Sequence, residues 1–160
     1  MGRSAGYWSA NPYRLADTAP KPAAPYRDLP SQVATRFRLA RTGLLALRGV
    51  AEQVRFMGSP WGWTWEYGIG SRKVCWIHPI TSGASATFTL TDEEESRTLA
   101  LPRLAEVVRQ AVRDGQRTGP VKWCWIGLSD RRTIEVFLGL VRRKAAWIGA
   151  ASAIRRRRAV

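Results

Sequence analysis

The chain has 160 residues, with 26 Lys+Arg against 12 Asp+Glu, one His and two Cys, for a formal net charge of +14. A hydrophobic fraction of 45% with eight Trp excludes a wholly disordered chain. Two Cys exclude a disulfide framework, and because their spacing fits no zinc motif, neither metal nor cofactor is expected.

Residues 1–30 carry Pro12, Pro20, Pro22, Pro25 and Pro30 and show no apolar periodicity, which predicts a disordered arm. Tyr7, Trp8, Tyr13 and Tyr26 punctuate it. A helix is predicted over 31–48, where Val33, Phe37, Ala40, Leu44 and Leu47 recur at helical steps behind an Ser31 N-cap. Gly49 stops it, and Gly43 is an unfavourable residue inside it. Alternation predicts a strand over 52–57, then a hairpin of 61–69 and 72–79 turning at Gly70-Ser71. With Ile69 facing Arg72, a regular ladder sets Tyr67 against Val74, Trp65 against Trp76 and Trp63 against His78. Trp61, Trp63, Trp65 and Tyr67 then share one face, while Thr64, Glu66, Cys75 and Ile77 take the other.

A further strand spans 84–90. Thr91 and Glu94 form a capping box, and the acidic run Asp92 to Glu95 suits the positive end of a helix dipole. A short helix to Leu99 follows, then a helix from Pro102 to Gly115, a strand over 121–128, and a last helix capped by Ser129. Its stripe is Ile134, Phe137, Leu138, Val141, Ala145 and Ile148. The order α-β-β-β-β-α-α-β-α predicts an α+β domain over 31–148, with an antiparallel sheet of about five strands and helices mainly on one face. Residues 149–160 are expected to be a solvated basic tail.

The charge is uneven. Residues 129–160 hold nine Lys/Arg and two acids, whereas the aromatic-rich 59–101 hold three and five. No apolar stretch has the length of a signal peptide or of a spanning helix, so a cytoplasmic protein with no transmembrane segment is expected.

The segments Val54-Arg55-Phe56-Met57, Gly58-Ser59-Pro60-Trp61-Gly62-Trp63, Arg72-Lys73-Val74, Ala86-Thr87-Phe88-Thr89-Leu90 and Leu101-Pro102, with the closing strand and helix, carry a family resemblance. Over about 50–148 the chain resembles the domain of unknown function 3788 family. It is more distantly similar to YdhG-like small α+β proteins, some of them discussed as frataxin-like iron chaperones. The resemblance implies the α+β fold and brings no activity with it. An iron-binding ridge needs clustered carboxylates, and the acidic run here is a helix cap.

Four groups of residues are candidates for function. Trp61, Trp63, Trp65 and Trp76, with Trp123 and Trp125, either line a pocket whose polar groups are Glu66 and His78 or form a sheet face covered by helices. As an acid–base pair Glu66 and His78 are disfavoured, because the regular ladder puts them on opposite faces. Cys75 and Cys124 read as buried thiols rather than nucleophiles. Arg36, Arg38 and Arg41 on the first helix, Arg109 and Arg113 on the helix after Pro102, and Arg142, Arg143, Lys144, Arg155, Arg156, Arg157 and Arg158 near the end are candidate polyanion contacts. Interfacial membrane contact through Trp147-Ile148 is a lesser alternative. The expected function is a non-enzymatic binding domain for an anionic partner, nucleic acid first, with Trp61 or Trp8 stacking on a base. The alternative is a small-molecule-binding or enzymatic domain using the Trp-lined pocket. Oligomeric state is not legible.

Overall fold

The computed structural model describes residues 3–159, among which six strands form one antiparallel sheet: β1 Val50–Phe56, β2 Trp63–Ile69, β3 Arg72–His78, β4 Ser85–Leu90, β5 Gln116–Thr118 and β6 Val121–Gly127. Their spatial order is β1-β2-β3-β4-β6-β5. Two short helices, α1 Ala5–Trp8 and α2 Pro25–Asp28, precede α3 Ser31–Leu45; α4 Asp92–Leu99, α5 Glu106–Arg113 and α6 Arg131–Arg158 follow. The chain is thus an α+β domain. Helices α3 and α6 lie side by side over one face of the sheet, with α4 and α5 beside them against β4 and β6. A Cβ at Gly43 would meet Leu138 Cδ1 at 2.4 Å, so the glycine inside α3 is what lets the two helices approach.

The β2–β3 ladder is not regular. Ile69 faces Arg72 as expected, but a bulge then shifts the pairing, so Tyr67 opposes Cys75, Glu66 opposes Trp76 and Trp65 opposes Ile77. The extra residue, Val74, joins Cys75 in the core. Trp65, Tyr67, Cys75 and Ile77 therefore share the helix-covered face with Phe88, Cys124 and Ile126, under Phe37, Leu44, Ile134 and Phe137. Thr64, Glu66, Trp76 and His78 lie on the opposite face, helix-free in the sense that none of α3 to α6 covers it and only the short α1 touches one end. The expected separation of Trp65 and Tyr67 from Thr64 and Glu66 on β2 holds, and the bulge corrects the facing of the β3 residues: Cys75 and Ile77 join Trp65, while Trp76 and His78 join Glu66.

Several boundaries differ from the sequence reading. Helix α5 begins at Glu106 rather than at Pro102, because residues 101–105 turn through Arg103 with φ 57°. Asp130, not Ser129, caps α6, accepting from Thr133 N–H at 2.8 Å. The sixth strand, β5, is three residues long and pairs with β6 across Gly119-Pro120. The capping box of α4 is present, with Glu94 N–H donating to Thr91 Oγ1 at 3.2 Å and Thr91 N–H to Glu94 Oε2 at 3.0 Å.

The segment expected to be a disordered arm is instead a strap around one end of the sheet; residues 1 and 2 lie outside the described residues. On the helix-free face Tyr7 donates to Ser85 Oγ at 2.6 Å and Trp8 meets His78 edge-on at 4.9 Å between ring centroids. Asn11, buried, turns the strap over the sheet end: its Nδ2 donates to Trp61 O at 2.7 Å and Trp63 O at 2.9 Å, and its Oδ1 accepts from Tyr13 N–H at 2.9 Å. Gly62, at φ +75°, leaves no room for a Cβ, which would sit 2.4 Å from Tyr13 O. On the helix side Trp63 Nε1 donates to Leu15 O at 2.8 Å and Trp65 Nε1 to Pro22 O at 3.0 Å. Proline suits such a segment, since carbonyls rather than N–H groups make most of these bonds. The C-terminal segment expected to be a separate solvated tail is the continuation of α6, which runs unbroken to Arg158 and is mostly exposed beyond Ile148; Val160 lies outside the described residues.

Asn11→Ala removes three hydrogen bonds at a buried position. Unfolding free energy is expected to fall by about 2–4 kcal/mol, read as a lower urea midpoint at unchanged slope. An unchanged midpoint would mean that the strap is not docked in solution.

Candidate functional site

Ion pairing sorts the cations. Among the described residues Arg41 forms a two-toothed pair with Glu52 at 2.8 Å for each bond and also donates to Tyr26 Oη. Arg109 and Arg113 both engage Glu106, at 3.5 and 2.9 Å. Arg117 bridges Asp92 and Glu95, and Lys122 also reaches Glu95. Of the expected polyanion contacts, Arg41, Arg109, Arg113 and Lys144 are thus engaged within the fold. Arg36, Arg38, Arg142, Arg143 and Arg155 to Arg158 have no carboxylate partner among the described residues; Arg38 lies over the Tyr26 ring at 4.4 Å.

Helix α6 concentrates these unpaired charges. Its 28 residues extend ~42 Å at 1.5 Å per residue. Ile148 is its last buried residue, so ten residues, Gly149 to Arg158, project beyond the packed part. The terminal arginines sit at the negative end of the helix dipole, which favours them there without any partner.

Lys144 is the exception on that helix. It is 1% exposed, turned inward to Val74 O at 3.3 Å, to Thr89 O and Oγ1, and toward Glu94 Oε2 at 3.8 Å. Burial lowers its pKa to about 8, against the opposing pull of Glu94. It is no surface contact. Burial pushes the thiols of Cys75 and Cys124 up to about 12, which leaves both protonated at neutral pH.

The expected Trp-lined pocket is not assembled. Trp65 is in the core under α3, edge-on to Phe37 at 5.3 Å. Trp63 packs on Phe56 and bonds the strap, and Trp61 sits on the turn before β2, 45% exposed. Trp76 lies on the other face with Glu66 and His78. The six residues are split between two sides of the sheet.

The bulge brings Glu66 and His78 onto one face, contrary to the sequence expectation, yet they do not form a pair. Glu66 accepts from Trp76 Nε1 at 3.0 Å and meets Arg55 and Lys73 at 3.2 Å each. Burial alone would raise its carboxyl; these three partners outweigh it and hold the group below the usual range. His78 is bonded at both nitrogens, Nδ1 to Thr64 Oγ1 at 2.9 Å and Nε2 to Thr87 Oγ1 at 2.8 Å. Thr64 gives its own proton to Ile77 O at 2.8 Å. Nδ1 is then the donor to Thr64, and in the neutral ring that burial favours Nε2 accepts from Thr87. Burial pushes its pKa down to about 3. With both nitrogens occupied and Trp8 on its edge, this imidazole is a structural crosslink, not a base.

Sequence reasoning grouped Trp123 with the pocket. The structure puts it on the helix-free face, 37% exposed and stacked on Trp76 at 5.0 Å with 30° between planes. The signal for its position was the Gly119-Pro120 turn, which pairs β5 with β6 and fixes Trp123 opposite Gln116. No helix among the described residues is long and apolar enough to cross a membrane. No family model matches the chain, and no curated protein matches it.

The unfolded chain binds a proton on His78 below about pH 6.5, whereas the native ring stays neutral to about pH 3, so acid favours unfolding. Between about pH 6 and 5 this group is expected to remove up to roughly 1.4 kcal/mol of stability per unit. His78→Gln, which keeps a donor and an acceptor, should show a shallower fall in urea titrations over that window. Equal slopes would mean a solvated ring.

Proposed function

We propose that the protein is a small non-enzymatic binding domain for an anionic partner, nucleic acid first, contacted through the outer faces of α3 and α6. The observation that carries this reading is the distribution of unpaired cations. After carboxylate pairing among the described residues, most of the cations left without an acid lie on these two helices, Arg36 and Arg38 of α3 and Arg132, Arg142, Arg143 and Arg155 to Arg158 of α6, with Arg3, Arg14, Lys21, Arg48 and Arg103 left elsewhere. The two helices are neighbours over the same face of the sheet. A guanidinium without an internal partner keeps its full set of donors for phosphate oxygens.

The absence of a converged acid–base or nucleophile arrangement in the candidates described supports binding over catalysis. Arginines without base-reading neighbours favour sequence-tolerant, salt-sensitive contact. The similarity of 50–148 to the domain of unknown function 3788 family remains part of this proposal and adds no reaction to it. A cytoplasmic location is proposed with it.

The test is fluorescence anisotropy of labelled single- and double-stranded oligonucleotides with the full chain across a salt series. Arg142→Ser combined with Arg143→Ser is expected to weaken duplex binding and to lower the salt slope by about 2, one for each lost phosphate contact. Arg109→Ser with Arg113→Ser, which removes the partners of Glu106, should change the slope far less. No binding at near-physiological salt would overturn the reading.

A further inference from the structure

The helix-free face of the sheet has its own chemistry. The strap covers the end that holds His78 and Ser85, with Tyr7 and Trp8 laid on it. The remainder has no helix over it. Trp76 is 3% exposed there because Trp123 leans across β4 and stacks on it. Trp123 meets Trp76 on one side and keeps 37% of its surface exposed. Large aromatics are ordinarily removed from water, and this one is left at the outside of a two-ring stack.

On β1 and β3 of this face the exposed charges are positive. Lys73 and Arg55 have side chains 53% and 41% exposed, whereas their shared partner Glu66 is 8% exposed. Arg3 lies over the Trp125 ring, its Cζ 3.4 Å from the centroid, farther along the same face. Gln116, directly opposite Trp123, is an exposed neutral neighbour. Lys73 stands on β3 and Trp123 on β6, two strand spacings apart, about 10 Å. A long lysine side chain covers much of that gap. An outward aromatic face bordered by cations, with the local carboxylate buried, is complementary to an unpaired base and its adjoining phosphates. A duplex, whose bases are stacked on each other, cannot offer that base.

We propose that this face is a platform for single-stranded nucleic acid, with Trp123 stacking on a base and Lys73 and Arg55 meeting phosphates. It rests on the preceding reading only in taking nucleic acid as the anion; its surface is on the opposite side of the sheet from α3 and α6.

The test uses the unaltered full chain first. Labelled oligothymidylate is compared with an abasic deoxyribose-phosphate strand of equal length and charge, and with a duplex. Stacking predicts that oligothymidylate binds about tenfold or more tighter than the abasic strand. Trp123→Thr, a strand-compatible change at a half-exposed site, should erase that ratio and leave duplex affinity unchanged. Equal affinity of the two single strands for the unaltered chain would overturn the platform, with no question of misfolding. Should duplex binding then still depend on Arg142 and Arg143, the helix reading stands while the platform falls. If oligothymidylate is preferred but those arginines do not matter, the platform stands and the helix reading falls. No binding to any probe removes both.

Discussion

The single extra residue in β3 governs what each side of this sheet is for. Alternation along a strand has a period of two, so one inserted residue exchanges the faces of everything beyond it. With Val74 taken into the core, Cys75 and Ile77 come under the helices beside Tyr67 and Trp65, and the helix-covered face becomes continuous. The same step sends Trp76 and His78 to the other side. There they join Glu66 and Thr64 and form the polar and aromatic layer on which the strap rests. A regular hairpin would have put Trp76 into the core and the imidazole beneath a helix with no hydroxyls to bond it.

Carboxylates are scarce in this chain, and their placement explains the rest of its electrostatics. Glu52 ties α3 to β1 and β2 through Arg41 and Tyr67. Glu94 closes its own helix cap, receives Arg72 at 2.7 Å, and faces the ammonium of Lys144. Glu66 holds Arg55, Lys73 and Trp76 together. Each of these three is nearly buried or shielded and organises several donors. Most of the arginines that remain outside such clusters lie on α6 and α3, which places much of the positive charge on the helical exterior.

The helical part of the fold was legible in the sequence because its signals are local. The stripe of Phe37, Ala40 and Leu44 and the Thr91–Glu94 cap depend on residues a turn apart, and a helix reads them without reference to anything distant. The hairpin faces were not legible, since a bulge leaves no mark in the alternation of Val74-Cys75-Trp76-Ile77, where every residue is apolar. Nor was the strap: proline-rich composition reports the lack of regular ladders, not the lack of contacts. Asn11, Tyr13 and Pro22 are held by bonds to residues about 40 to 50 positions away. Of the candidate cations, Arg142 and Arg143 were placed on an exposed surface, but the inward turn of Lys144 between them and the core follows from the helix stripe continuing through Val141 and Ile148.

The strap also imposes an order of events on folding. Tyr7 bonds Ser85, 78 residues later in the chain, and its ring rests on Trp125, later still. During vectorial synthesis the first residues to emerge have nothing to bind until the sheet is nearly complete, so their docking is a closing step rather than a nucleus. Until then His78, bonded to Thr64 and Thr87 as soon as β2, β3 and β4 pair, lacks the cover of Trp8, so the strap completes the burial that keeps this imidazole neutral.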